Sequence, residues 1–224
     1  MLSAARHPET IHDFRGFPEQ LYSILYPASG APAIAEHAMQ LLQAAGFTAT
    51  LNGCRGLDHG AWVPLRRVYP DADVPVVQLS VQPSLDAAHH LRLGGALAQL
   101  GNDGVLVIGS GHLTHNLRDW MRSVQGNIGA EHDRVPASYV IDFREWIADA
   151  LLRDDRPALV RWREDAPHAE RAHPTPEHFM PLFVALGAAG ERPRVERIDA
   201  GIEGGVLAMD AYVFWPQTRA AKLS

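Results

Sequence analysis

The sequence predicts an α/β fold: three layers, helix on sheet on helix, around a mixed and largely parallel sheet. Strand-like apolar runs alternate with helix-periodic segments through the middle of the chain, the pattern that builds such layers. The run Val105-Leu-Val-Ile108 lies between Gly104 and Gly109 and reads as a short buried strand. With 224 residues, 46% hydrophobic and 21% charged, the chain suits a single domain over 1–224 with a sizeable core.

Taken in order, residues 1–30 carry turn formers and aromatics, with Phe14, Phe17, Tyr22 and Tyr26 among Pro18 and Pro27. Pro32–Ala45 reads as an amphipathic helix. Proline is tolerated in its first turn, Ile34, Ala38, Leu41, Leu42 and Ala45 share a face, and Gly46 supplies a left-handed stop. Thr48–Leu51 is a short strand, 53–60 a loop, and Ala61–Val68 a short helix. Val74–Val81, with Val76, Val77, Leu79 and Val81, is a second strand. Ser84–Leu100 is a helix with Ser84 as N-cap and Asp86 near the positive end of its dipole. Adjacent residues diverge by about 100° on a helix, so His89 and His90 cannot share an ion and are read as surface residues. Residues 126–136 are a polar loop. Helices follow over Ala137–Arg153, Pro157–Glu164 and Glu177–Gly187. Arg194–Phe214 reads as two strands around Gly204-Gly205.

The net charge of −6 argues against a nucleic-acid or anionic-membrane partner. No run approaches the ~20 apolar residues of a membrane helix, and residues 1–10 lack the layout of a signal peptide. Cys54 is the sole cysteine, which excludes an internal disulfide and fits a reducing cytoplasm. Twelve histidines are the chemically informative excess, since imidazole both ligates metals and moves protons near neutral pH.

Four stretches concentrate that chemistry. They are Pro8-Glu-Thr-Ile-His-Asp-Phe14 with Gly16-Phe-Pro18, Gly56-Leu-Asp-His-Gly-Ala-Trp62, Gly109-Ser-Gly-His-Leu-Thr-His115-Asn-Leu117, and His173-Pro-Thr-Pro-Glu-His-Phe-Met-Pro-Leu182. In open α/β sheets ligands bind just beyond the carboxyl ends of strands, where His112 and His115 fall. Glycines there let another backbone approach closely. His178 follows two prolines that stiffen the entry to a helix, a rigid mount for a ligand. His59 has Asp58 beside it as a hydrogen-bond acceptor that orients an imidazole, and Trp62 as a flat wall for an aromatic group.

These four motifs, in this order, resemble the class III extradiol ring-cleavage dioxygenases, in particular the DOPA 4,5-dioxygenase-like branch. The resemblance implies oxidative opening of a catechol-like ring with O2 on Fe(II) or Zn(II). It implies His178 as a metal ligand and His115 as the proton-moving residue, also within reach of the metal. It implies His59 as an active-site group at the substrate hydroxyls, and His12, Asp13 and Trp62 as substrate-lining. An imidazole with a pKa near ~6.5 serves both proton steps. His59, His115 and His178 are then expected to meet in one cleft. The partners are a small aromatic diol and O2, and a homo-oligomer is compatible with the sequence.

Family members begin with two further strands, ending in His-Gly-Ser-Pro and Ser-Ala-His-Trp, whose histidines are metal ligands. Neither motif occurs in this sequence, which enters the pattern at Ser3-Ala-Ala-Arg-His7. The expectation is a fragment or a misassigned start, with residues 1–224 binding metal weakly, because a non-haem iron site commonly takes three protein ligands. Two other readings stay open: a non-catalytic remnant, and a zinc-dependent hydrolase on a similar scaffold.

Overall fold

Helices carry most of the regular structure, and the strands are short. The computed structural model describes residues 1–124 and 134–217. Most of the expected 126–136 loop therefore lies outside the described residues. The chain divides into two compact units, Met1–Val81 and Gln82–Ser224.

In the first unit, β1 (Leu2–Ser3) pairs in parallel with β2 (Leu51–Asn52). A single antiparallel bridge joins Leu2 to Leu79 on the other side. A 3₁₀ turn spans Glu19–Ser23, followed by α1 (Pro32–Ala44) and α2 (His59–Val68). The helix expected over Pro32–Ala45 is present, with proline in its first turn and Gly46 at positive φ just past its end. The strand expected over Val74–Val81 is not formed. Its contacts are reduced to isolated bridges at Val76 and Leu79, and Gln78 N–H donates to the Ser3 hydroxyl rather than to a carbonyl. A run too briefly paired makes no ladder, whatever its β propensity. Tyr26, Ala28, Leu57, Trp62 and Leu65 form a core cluster against which Phe14, Ile24 and Val76 pack.

The second unit opens with α3 (Ala87–Ala96), a 3₁₀ turn over Ala98–Asp103, and α4 (Leu117–Val124). It continues with α5 (Ser138–Leu152), α6 (Arg156–Val160), α7 (Trp162–Asp165), α8 (Ala169–Ala172) and α9 (Met180–Ala188). Two antiparallel pairs end it: β3 (Arg194–Ile198) with β6 (Ala211–Trp215), and between them β4 (Ile202–Glu203) with β5 (Leu207–Ala208). The hairpin expected around Gly204-Gly205 is there, with both glycines at positive φ. Asp86, not Ser84, caps α3, accepting from His89 N–H. His90 is buried, not on the surface: its Nδ1 donates to the Asp86 carbonyl and its Nε2 accepts from Gln82 N–H.

The central strand expected over Val105–Ile108 is also absent. The segment keeps the alternation of an extended chain, but Leu106 is 67% and Ile108 49% exposed. Among the described residues its backbone makes one hydrogen bond, Val105 N–H to Leu100 O. The class is α/β, with two-stranded sheets in place of one continuous sheet.

Two features hold the second unit together. Helices α3 and α9 cross at glycines: a Cβ on Gly94 would stand 2.1 Å from Val184 O, and one on Gly187 2.1 Å from Leu91 O. Asp210, whose side chain is fully buried, accepts from Arg144 Nε at 2.6 Å and Arg197 Nε at 2.7 Å. The core between α5 and α9 is aromatic, with Phe143, Trp162, Phe179 and Phe183 in edge-on contacts. His173 sits among these rings, fully buried, its Nε2 donating to Leu113 O at 2.8 Å and its Nδ1 unpaired. Burial pushes its pKa down to about 3, with the neighbouring His115 and His178 adding to the effect.

Gly94→Ala is expected to cost about 1–3 kcal/mol, because a methyl there forces two packed backbones apart. Urea unfolding against the parent reads this directly. A neutral His173 also gives stability a sign with pH. The unfolded chain takes up its proton near ~6.5 while the folded chain resists it down to about 3. Stability is therefore full above ~6.5 and falls as the pH drops through that window. His173→Gln is expected to lower stability at pH 7 and to flatten the slope between pH 6.5 and 4, as followed by the urea midpoint.

Candidate active site

The site is built where the 109–116 segment lies against the 171–181 segment. Gly109 and Gly111 make this approach feasible: a Cβ on Gly109 would stand 2.3 Å from Pro181 O, and one on Gly111 2.1 Å from His178 O. Main-chain hydrogen bonds close the seam, His112 N–H to His178 O at 2.9 Å and His115 N–H to Ala172 O at 2.8 Å. Asn116 donates its side-chain amide to Arg171 O, and His173 donates to Leu113 O, both at 2.8 Å. The motif's glycines thus bring backbones together, as expected from the sequence.

The seam brings His115 and His178 together, their rings stacked 3.6 Å apart at an interplanar angle of 17°. His112 joins them, 5.4 Å from the His115 ring and 6.4 Å from the His178 ring. The sequence placed His112 in the same turn as His115 and gave it no role of its own. His178 is not mounted on a helix as expected. It lies in the turn before α9, where Phe179 and Met180 N–H groups bond back to Pro176 O. Glu177 stands beside it, with its Oε1 3.3 Å from His178 Nδ1 and accepting from the Thr175 hydroxyl. Burial alone would raise the Glu177 carboxyl, but the Thr175 hydrogen bond and the neighbouring His178 ring hold it below its usual value.

Burial, and then the neighbouring His178 and His112, push the His115 pKa down to about 4. This departs from the value near ~6.5 expected of an ordinary imidazole. At neutral pH the ring is uncharged and holds a lone pair for a proton. His115 and His178 line a cavity of about 580 Å³ together with Arg118, Asp119, Arg171 and Glu177. Arg171 donates to Asp119 at 2.9 Å and covers the Tyr139 ring at 4.1 Å. Arg118 makes no ion pair among the described residues. None of these three charged residues was singled out in the sequence, because no spacing rule ties a helix-start arginine to a loop that returns fifty residues later.

The remaining expected site residues, His12, Asp13, His59 and Trp62, gather in the first unit. Asp13 Oδ1 accepts from both the backbone N–H and the Nδ1 of His59, at 3.1 Å and 2.7 Å. Asp58, expected to orient an imidazole, instead pairs with Arg55 at 3.0 Å. His12 Nε2 donates to Ile24 O at 3.0 Å, and its ring wedges among Phe14, Tyr22 and Trp62. Trp62, expected as a flat wall, is 3% exposed, with its indole N–H on Ile11 O. An indole that must satisfy its N–H packs into the core, and here Trp62 supports His12 and Phe14 from behind.

With this geometry in view, the chain is similar to known proteins over nearly its whole length. The family described as the catalytic LigB subunit of aromatic ring-opening dioxygenase matches residues 1–204. A 4,5-DOPA dioxygenase extradiol of Beta vulgaris is 44% identical over 207 residues, covering 92% of this chain and 74% of the relative. One of Escherichia coli K12 is 38% identical over 213 residues, covering 93% and 74%. The crystal structure of an uncharacterized Escherichia coli K12 protein superposes with a TM-score of 0.74 at 32% identity, covering 94% of this chain and 78% of that one. A match over residues 1–204 and relatives this similar over most of their length place the chain in the LigB family of class III extradiol dioxygenases.

Proposed function

We propose that the chain is an extradiol dioxygenase that opens a catechol-like aromatic diol with O2. The observation that carries this reading is the His115–His178 pair, on the wall of a cavity of about 580 Å³ large enough for a small aromatic ring. His115, neutral at physiological pH, accepts a proton from a substrate hydroxyl and returns it to the product. His178 and Glu177 hold the adjoining wall. In this reading residues 1–224 belong to one cytoplasmic catalytic domain of the α/β class, supported by the match to the family over residues 1–204.

The expected metal, Fe(II) or Zn(II) on His178 and His115, does not fit the residues as they are placed. Imidazole is a suitable donor for either ion, but a ligating nitrogen must aim at the ion in the plane of its ring. Two rings stacked at 3.6 Å and 17° lie in nearly parallel planes that share no such point. Among the described residues no group of three His, Cys, Asp or Glu side chains is arranged to hold a metal ion. The same stacking favours a second reading, a family member that keeps the cavity but binds metal weakly.

Two measurements separate these readings. His115→Ala is expected to cut the ring-opening rate by at least ~100-fold, the scale of a lost proton-transfer group. Oxygen uptake with a catechol reads this, and a variant within a few-fold of the parent removes His115 from the chemistry. Calorimetric titration of the chain with Fe(II) or Zn(II) is expected to show weak uptake, well short of one ion per chain at micromolar metal. Tight stoichiometric binding would mean that the His115 and His178 rings turn to complete a site, and would set the weak-binding reading aside.

A further inference from the structure

We infer that Asp13 is a positioning residue for His59, fixing the imidazole with Nδ1 protonated and Nε2 presented as the proton acceptor. The inference rests on the ring-opening reading only for the identity of the proton donor, an aromatic hydroxyl.

A carboxylate oxygen can only accept, so the 2.7 Å contact from Asp13 Oδ1 places the hydrogen on His59 Nδ1. The same oxygen takes the His59 backbone N–H at 3.1 Å. His59 is the first residue of α2, and the preceding Asp58 makes no side-chain cap there. Asp13, arriving from a distant loop, therefore takes over part of the capping of the helix start and holds the side chain at a second point. The Phe14 ring meets the imidazole edge-on, 6.1 Å away at 84°, and limits rotation from the side. Burial alone would raise the Asp13 carboxyl, yet the hydrogen bonds from His59 hold it below its usual value, so it stays charged at neutral pH. The other imidazole of this cluster, His12, already spends its Nε2 on Ile24 O. Among the described residues His59 Nε2 has no hydrogen-bond partner, and the His59 side chain is 45% exposed.

The chemistry balances without an additional reactant. The Nε2 lone pair takes a proton from an aromatic hydroxyl, and the imidazolium so formed rests against the Asp13 carboxylate until it gives that proton back. A carboxylate behind a histidine in this way selects the tautomer and steadies the charged form.

The test uses the full chain, with nitrogen NMR on the His59 ring and oxygen uptake with a catechol measured on the same samples. The parent is expected to show a protonated Nδ1 and a bare Nε2 in the neutral ring. Asp13→Ala moves the proton toward Nε2 and lowers kcat by ~10–100-fold, with KM within about twofold of the parent. Asp13→Glu, or formate added to Asp13→Ala, restores part of both. An unchanged tautomer in Asp13→Ala overturns the inference, as does a shifted tautomer with unchanged kcat. A lost rate that formate does not restore, together with a lower melting temperature, also overturns it by showing a structural role alone. If the parent consumes no oxygen with any catechol while the tautomer shifts as described, the pairing stands and the ring-opening reading falls.

Discussion

The candidate site depends on the seam between the 109–116 and 171–181 segments, and the seam depends on the absence of two side chains. Gly109 and Gly111 lie so close to Pro181 O and His178 O that any Cβ would collide with them. Once the backbones touch, the amides of His112 and His115 find carbonyl partners across the seam, and His173 and Asn116 add side-chain bonds along it. Hydrogen bonds that each contribute about 1 kcal/mol then act as a set on one stretch of chain. The two segments carry four imidazoles, His112, His115, His173 and His178. Their mutual distances follow from the backbone contact more than from any attraction among the rings.

The seam also sets the electrostatics. Bringing His112, His115 and His178 together beside a buried His173 disfavours added positive charge, since each ring repels a proton on the next. Burial works in the same direction. Glu177 opposes both, and its carboxyl stays charged because Thr175 donates to it and the His178 ring lies beside it. The outcome is a cavity wall on which His115 is neutral, with Glu177, Asp119 and Glu170 as its carboxylates. Charged arginines stand further along the wall, and Arg171 there is tied to Asp119.

The first unit uses the same device for a different purpose. A Cβ on Gly56 would fall 2.2 Å from Glu9 O, and one on Gly30 1.8 Å from Ala5 O. The 56–62 loop is thus pressed against the 9–13 segment, with Leu57 N–H on Glu9 O and Ile11 N–H on Leu57 O. That contact delivers Asp13 to His59 across forty-six residues of sequence. Trp62 and Tyr26 fill the space behind, their polar atoms satisfied by Ile11 O and Tyr69 O, so the rings above them have a firm base.

Much of the local structure was legible in the sequence. The 3.6-residue periodicity of 32–45 and 137–153 marked α1 and α5, because an amphipathic face is written locally. The Gly204-Gly205 pair marked the terminal hairpin, and the glycines of Gly109-Ser-Gly111 marked a close backbone approach. The four motifs marked the family, and His115 with His178 as a pair. The strands over Val74–Val81 and Val105–Ile108 were misread for a physical reason. Apolar β-branched residues favour an extended chain, but a strand exists only where a partner supplies a ladder, and a partner is a tertiary fact. Met1–Ser3, too short to show any period, is the segment that sits between β2 and Leu79. The choice of Asp13 over Asp58 as the partner of His59, the burial of Trp62 and the stacking of His115 on His178 likewise depended on which distant backbones touch. By itself, the sequence determined the family, the locally written helices and where chains can approach. The tertiary structure alone decided which imidazole faces which carboxylate, because hydrogen bonds and ring contacts act over a few ångströms and know nothing of separation along the chain.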